Sequence, residues 1–271
     1  MNENWTIPRN GDWSIPASVR KSWDRKTPYY MRLRDHFAGM IEAGALAAGS
    51  KFPPERALAE EFSITRVTVR QALMRMEVEG LIFRQDRRGW FVSPPRVRYD
   101  PTSDTSFTES VAEQGRVAGT IVLAKKRIAA SYRESTQLQC AVGDPVFVVS
   151  RLRTVDARVV LVERIFVKAS RCPNLLDFPL DRSMTGLMAR EFGINEHRTQ
   201  INMRPAVSSE EQARALGVAM GTPGLSLSRT IVDQFGKIVE LDEEFWRHDA
   251  IDISISVVGS KDQNAANSEK M

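Results

Sequence analysis

Apolar residues recur at helical spacing twice in the first third of the chain. Met31, Leu33, Phe37, Ala38, Met40 and Ile41 predict a helix from Tyr29 to Gly44, with the glycine as its stop. Val69, Ala72, Leu73 and Met76 predict another from Thr65 to Glu79, with the Thr65 hydroxyl placed to cap its first turn. Between them Pro53-Pro54 presets the first turn of a short helix, Glu55 to Phe62, and Ser63-Ile64 makes a tight turn. Leu81-Ile82-Phe83 and Gly89-Trp90-Phe91-Val92 then bracket a basic tip, Arg84 to Arg88. Helices followed by a two-stranded basic hairpin describe a winged helix-turn-helix.

Ser93-Pro94-Pro95 and Asp100-Pro101 mark a stiff connection. Beyond it, Ser106 and Glu109 have capping-box spacing at the head of a short helix, Thr108 to Gln114. From Gly119 the period shortens. Strands are predicted at Ile121–Leu123, Pro145–Val155, Val159–Val167, His197–Val207, Leu225–Asp233, Ile238–Trp246 and Ile251–Val258. Helices are inserted at Tyr132–Leu138, Met184–Phe192 and Ser208–Leu216, the last with Ser208 and Glu211 at box spacing. Turns fall at Asp156-Ala157 and Phe235-Gly236. The fold class is α+β, an N-terminal winged domain followed by an antiparallel meander. The divisions are an extension at 1–27, the winged domain at 28–93, a linker at 94–104, a second domain at 105–258 and a polar, disordered tail at 259–271. The extension, with three tryptophans and no period, reads as a disordered leader or as an arm packed on the winged domain.

A length of 271 residues, 42% hydrophobic content and a net charge of +4 suit two globular domains. The pI near 9.2 is compatible with a nucleic-acid partner without arguing for one. Two cysteines, Cys140 and Cys172, lack metal-ligand spacing and favour a reducing compartment. No apolar run reaches the ~20 residues of a membrane span, so the expectation is a cytoplasmic protein with no membrane partner. His36, His197 and His248 lie in separate segments, and no local motif suggests a nucleophile and its base. The expectation is no catalytic residue, no metal and no cofactor.

The start of the Thr65–Glu79 helix carries Thr65, Arg66, Thr68, Arg70 and Gln71 away from its apolar stripe. A helix entering the major groove by its first turn puts such residues on base edges, and arginine's fork matches the two acceptors of guanine. A solvated helix face is the alternative for two arginines alone; the adjoining turn and the basic wing, Arg87, Arg88 and Gly89, favour double-stranded operator DNA.

Pro54-Glu55-Arg56, the run Thr65 to Leu73 and the run Glu77 to Ile82 resemble the DNA-binding domain of the GntR family of bacterial regulators. The resemblance implies DNA contacts by Arg56, Arg66, Thr68, Arg70 and Gly89. Many members have glycine where Arg87 stands, and an arginine there adds a minor-groove contact at the expense of close approach. Ser106-Phe107, Gly143 to Val146, Arg151-Leu152-Arg153, Glu163 and Glu240 to Asp249 resemble the effector domain of the HutC branch, which has a chorismate-lyase-like fold. Asp86 to Val92 and Glu244 to Asp249 are similar to repressors of phosphonate utilisation.

Arg151 and Arg153, two apart on a strand, share a face, and forked guanidiniums suit phosphate-like oxygens. The resemblance implies that they bind an acidic group with help from Ser106 and Phe107, and that Glu240 and Trp246 line the same pocket. Glu163 pairing with an arginine in a purely structural role is the alternative. Glu240, Asp242, Glu244 and Trp246 also share one face, and three carboxylates at strand period repel unless solvated or met by a cation. The two sets together fit a small zwitterion, and the phosphonate resemblance points to 2-aminoethylphosphonate or a related compound. The expected protein is a homodimeric, ligand-responsive repressor of phosphonate uptake or degradation genes. A regulator responding to a sugar phosphate or other small acid, and an enzyme of chorismate-lyase-like fold, are the alternatives.

Overall fold

The computed structural model describes residues 26–85, 88–103 and 105–255, without the side chains of residues 196–199. The expected extension, save its last two residues, and the expected tail lie outside the described residues, as does Arg87.

Three helices form the winged domain: α1 (Tyr29–Glu42), α2 (Glu55–Phe62) and α3 (Arg66–Val78). Ser63 closes α2 in the left-handed conformation, and the Thr65 hydroxyl accepts from the amide of Thr68 to open α3. Every apolar position that defined α3, from Val69 to Met76, is fully buried against Leu33, Phe37, Leu58 and Ile82. The wing is an antiparallel pair, β1 (Ile82–Gln85) and β2 (Gly89–Val92). Gly89 has φ of +97°, a region open to glycine and costly for other residues at this turn.

The second domain is a six-stranded antiparallel sheet. Its strands are β4 (Ala118–Ala129), β5 (Pro145–Val155), β6 (Arg158–Lys168), β7 (Glu196–Val207), β8 (Pro223–Asp233) and β9 (Ile238–Arg247). Their order is β4-β5-β6-β9-β8-β7, so the sheet is two meanders joined by pairing of β6 with β9. Helices α4 (Phe107–Glu113), α5 (Tyr132–Leu138), α6 (Met184–Phe192) and α7 (Glu210–Leu216) cover it. Asp156 and Ala157 both take positive φ in the β5–β6 turn. The Asp156 carboxylate offsets this by accepting from Arg116 Nε and the Val117 amide.

Three expectations change. Strand β4 runs on through Lys125-Lys126-Arg127, whose charges hid it; lysine and arginine protect an edge strand from further pairing. The cap of α7 is Ser209 with Gln212, one residue later than expected. Ser208 is buried, its amide on Thr222 O and its hydroxyl on Ala219 O. The last strand, β10 (Ile251–Ile253), does not extend the meander. It pairs in parallel with β3 (Val97–Tyr99), a strand inside the segment expected to be linker.

Candidate functional site

On the winged domain, Arg66, Arg70 and Gln71 are exposed along the start of α3, opposite the buried stripe. Thr68 is half-buried, its hydroxyl 2.9 Å from that of Thr65. Arg70 is not extended into solvent alone: its Nη2 donates to Glu55 of α2 at 2.8 Å and its Nε at 3.2 Å. Arg56 pairs loosely with Glu60 at 3.5 Å on the same helix. Arg88 lies over the Phe91 ring at the wing, beside Gly89.

The second site is a cavity of about 680 Å³ on one face of the sheet. Strand alternation builds it. Register aligns Arg151, Glu163 and Glu244 in one row across β5, β6 and β9, and Ile165, Asp242 and Arg229 in the next across β6, β9 and β8. Arg153 and Trp246 flank the first row, Glu240 the second. Ser106 and Phe107 close one side from α4, whose capping box is formed as the sequence predicts; Ser183 and Met184 close the other from α6. All nine expected pocket residues, Ser106, Phe107, Arg151, Arg153, Glu163, Glu240, Asp242, Glu244 and Trp246, line this one cavity.

The two arginines are not equivalent. Arg151 donates from Nε to Glu163 at 2.5 Å and from Nη1 to the carbonyls of Leu180 and Arg182. Glu163 does pair with an arginine, therefore, and the pair is buried inside the cavity wall. Arg153 stacks over the Phe107 ring at 4.4 Å, donates to Thr120 at 2.8 Å, and keeps a buried Nε with no partner. Burial lowers its pKa, opposed by Glu163, yet a guanidinium stays charged. Its contacts with Glu163, at 3.8 Å, and with Thr108, at 3.4 Å, are longer than those of Arg151, so Arg153 is the more loosely held of the two cations.

The carboxylates are no solvated face. Glu240, Asp242 and Glu244 are 3%, 6% and 8% exposed, too little for water to screen their repulsion. Burial first, then the Glu244 and Glu163 charges, hold the Asp242 carboxyl well above the usual carboxylate range, against Arg229. Glu244 is raised too, by burial, with Arg229 opposing. Asp242 and Glu244 share one face of β9, so the Glu244 charge disfavours ionisation of Asp242. The Trp246 indole N–H donates to Glu244, while Asp242 Oδ1 has no partner.

Glu163, Asp242 and Glu244 bring one oxygen each within 4.8 Å, a spacing that could hold a metal ion. Arg151 on Glu163 and Arg229 at 3.9 Å from Glu244 already supply positive charge there. A dication would have to sit beside two guanidiniums; a monovalent ammonium with three N–H donors matches the oxygens at lower electrostatic cost.

Sequence reasoning missed Arg229 and Tyr99. Arg229 interrupts the inward alternation Leu227, Arg229, Ile231, which was the available signal. Tyr99 fell inside the presumed linker; its hydroxyl accepts from Arg229 and its ring lies 5.4 Å from that of Trp246. A second cavity of about 560 Å³ opens on the opposite face. Two of its charge pairs are matched, Arg133 with Glu243 and Arg164 with Glu211, and its arginines are exposed or half-exposed, so the buried face is the better candidate.

Two family models match the chain: "Bacterial regulatory proteins, gntR family" over residues 30–92, and "UTRA domain" over residues 113–252. Among curated relatives, the "HTH-type transcriptional repressor PhnF" of Mycolicibacterium smegmatis is 33% identical over 74% of this chain and 82% of its own length. The "HTH-type transcriptional repressor NagR" of Bacillus subtilis is 28% identical over 82% of this chain and 91% of its own. The crystal structure of PhnF from Mycobacterium smegmatis aligns at a TM-score of 0.60 and 29% identity, covering 84% of this chain and 99% of that one. These domains and relatives are those of DNA-binding regulators, not enzymes, and no helix among the described residues is long and apolar enough to cross a membrane. The chain belongs to the GntR family of bacterial transcriptional regulators, in the HutC-type branch whose winged helix-turn-helix precedes a UTRA effector domain.

Proposed function

We propose that this regulator is a cytoplasmic, homodimeric repressor that answers to a small zwitterionic phosphonate, with 2-aminoethylphosphonate as the best match, and controls phosphonate uptake or degradation genes. The winged domain, residues 28–93, reads operator DNA through Arg66, Thr68, Arg70 and Gln71, with Thr65, Arg56 and the wing residues Arg87, Arg88 and Gly89 positioning it. The effector domain, residues 105–258, takes the ligand. Arg153 meets the phosphonate, helped by Ser106 at the α4 start, while Arg151 holds Glu163 in place. Asp242 and Glu244, with Glu163 and Glu240 around them, meet the amine.

The observation that carries this reading is the buried carboxylate group facing Arg153 across one cavity. A phosphate ester with no amine would use the arginine and leave the acids repelling one another. An amino-phosphonate satisfies both. The resemblance to repressors of phosphonate utilisation supplies the ligand's name, and the charge arrangement supplies the reason to expect an amine.

Calorimetry tests it. Removing one partner of a desolvated charge pair costs ~2–5 kcal/mol, so ethylphosphonate, lacking the amine, should bind at least about 30-fold more weakly than 2-aminoethylphosphonate. Equal affinity for the two, or preference for N-acetylglucosamine 6-phosphate, would retire the zwitterion and leave the sugar-phosphate reading.

A further inference from the structure

Two chain segments run from the cavity straight to the winged domain. Strand β9 carries Trp246 in the cavity wall, and the next residues, Arg247, His248 and Asp249, face the winged domain. Strand β3 carries Tyr99 in the same wall, and three residues earlier Arg96 donates to Glu79 O at the end of α3. The two segments are tied by the Val97 amide on Ala250 O at 2.8 Å.

At their meeting point sits Phe83 of the wing strand β1. Arg158 lies over its ring at 4.2 Å and Arg247 at 5.5 Å. Asp249 holds both guanidiniums, accepting from Arg247 Nε and Nη2 at 2.9 Å each and from Arg158 at 2.5 Å. His248 bridges the domains, with Nε2 3.0 Å from Glu77 O and Nδ1 3.0 Å from Pro223 O. Gly80 allows the approach: a Cβ there would lie 2.7 Å from Arg96 Nη2 and 3.2 Å from Asp249 Cβ. Arg158, Arg247 and Asp249 are all buried or nearly so.

We propose that Phe83, gripped by Arg158 and Arg247, is the latch through which occupancy of the cavity changes the winged domain's affinity for DNA. A ligand that moves Trp246 or Tyr99 shifts the backbone that carries Arg247, Asp249 and Arg96. The grip on Phe83 is thereby tightened or released, and coupling requires only that the two latch states differ in ligand affinity. The inference rests on the cavity being the effector site, as proposed above.

The test uses the full chain and a duplex selected with the wild-type protein from random sequence. Fluorescence anisotropy gives operator affinity with and without saturating 2-aminoethylphosphonate, and the wild type should change at least tenfold. Phe83→Leu, with ligand binding confirmed by calorimetry and an unfolding transition like the wild type's, should change less than twofold. A Phe83→Leu protein that keeps the full response overturns the latch. A second arm needs no ligand: Tyr99→Phe removes the hydroxyl bonded to Arg229, and its effect on operator affinity is measured in the wild-type and Phe83→Leu backgrounds. An effect of at least threefold in the first and none in the second supports the latch; additive effects, or none in either, overturn it. Failure of 2-aminoethylphosphonate to bind the wild type would count against the ligand, and the second arm alone would then decide the latch.

Discussion

Binding of an amine at the carboxylate group should release a proton. In the ligand-free protein the Asp242 carboxyl is held well above the usual carboxylate range, because its burial and the Glu244 and Glu163 charges outweigh Arg229. Glu240 also raises it, and Tyr99, which reaches Arg229, stays a neutral phenol since burial pushes it upward. An alkyl ammonium, titrating near ~10.4 as lysine does, arrives charged and takes the proton's place. The sign follows: a raised carboxyl ionises on binding, so affinity rises with pH. One whole proton released means about tenfold in affinity per pH unit, about 1.4 kcal/mol. Calorimetry from pH 6 to 8, in two buffers of different ionisation heat, counts the protons directly. The ammonium acidifies the phosphonate beside it, so each compound's own phosphonate titration is measured free in solution and subtracted before the proton counts are compared. Asp242→Asn should abolish the difference between them. Equal proton counts for both ligands, or no proton released with 2-aminoethylphosphonate, would refute the reasoning.

Arg66→Ala should cost about 1–3 kcal/mol of operator binding and relax base preference at one position, whereas Arg88→Ala should weaken all duplexes alike and flatten the salt slope by about 1; filter binding at several salt concentrations separates them. Light scattering at micromolar protein should return twice the 30.5 kDa chain mass, and a monomer binding operator one to one would contradict a two-headed reader. His36, held at about 4 by burial, should make the winged domain less stable on acidification: a depressed folded pKa contributes stability above the ordinary 6.5 that is lost as pH falls toward 4. Discounted for its partial exposure, the loss is on the order of 1–2 kcal/mol, and His36→Phe should remove that pH dependence from thermal unfolding.

Much of the site was legible because strand alternation is strict. Arg151 and Arg153, or Asp242, Glu244 and Trp246, share a face whatever the sheet order, and a phase read from apolar neighbours places them inward. What alternation cannot give is which strands adjoin. Pairing of β6 with β9 puts Glu163 beside Glu244, and pairing of β8 with β9 puts Arg229 beside Asp242; neither follows from local pattern. Short elements failed where a competing signal was stronger. Prolines on both sides made Val97 to Tyr99 read as linker, although β10 supplies its ladder from the far end of the chain. Charges on β4 masked a strand whose exposed edge tolerates them. Adjacent serines offered two capping boxes, and burial of Ser208 decided between them. In the winged domain the cap of α3 is local, the Thr65 hydroxyl on the Thr68 amide, and it was readable for that reason.

The central claim is that one ligand in this cavity controls DNA binding, and an anisotropy titration of labelled operator duplex tests it most directly. At about 20 times its calorimetric Kd, 2-aminoethylphosphonate should weaken operator affinity at least tenfold, while ethylphosphonate at the same concentration, bound about 30-fold more weakly, leaves it within twofold. Operator affinity that stays the same when calorimetry shows 2-aminoethylphosphonate fully bound would contradict the account.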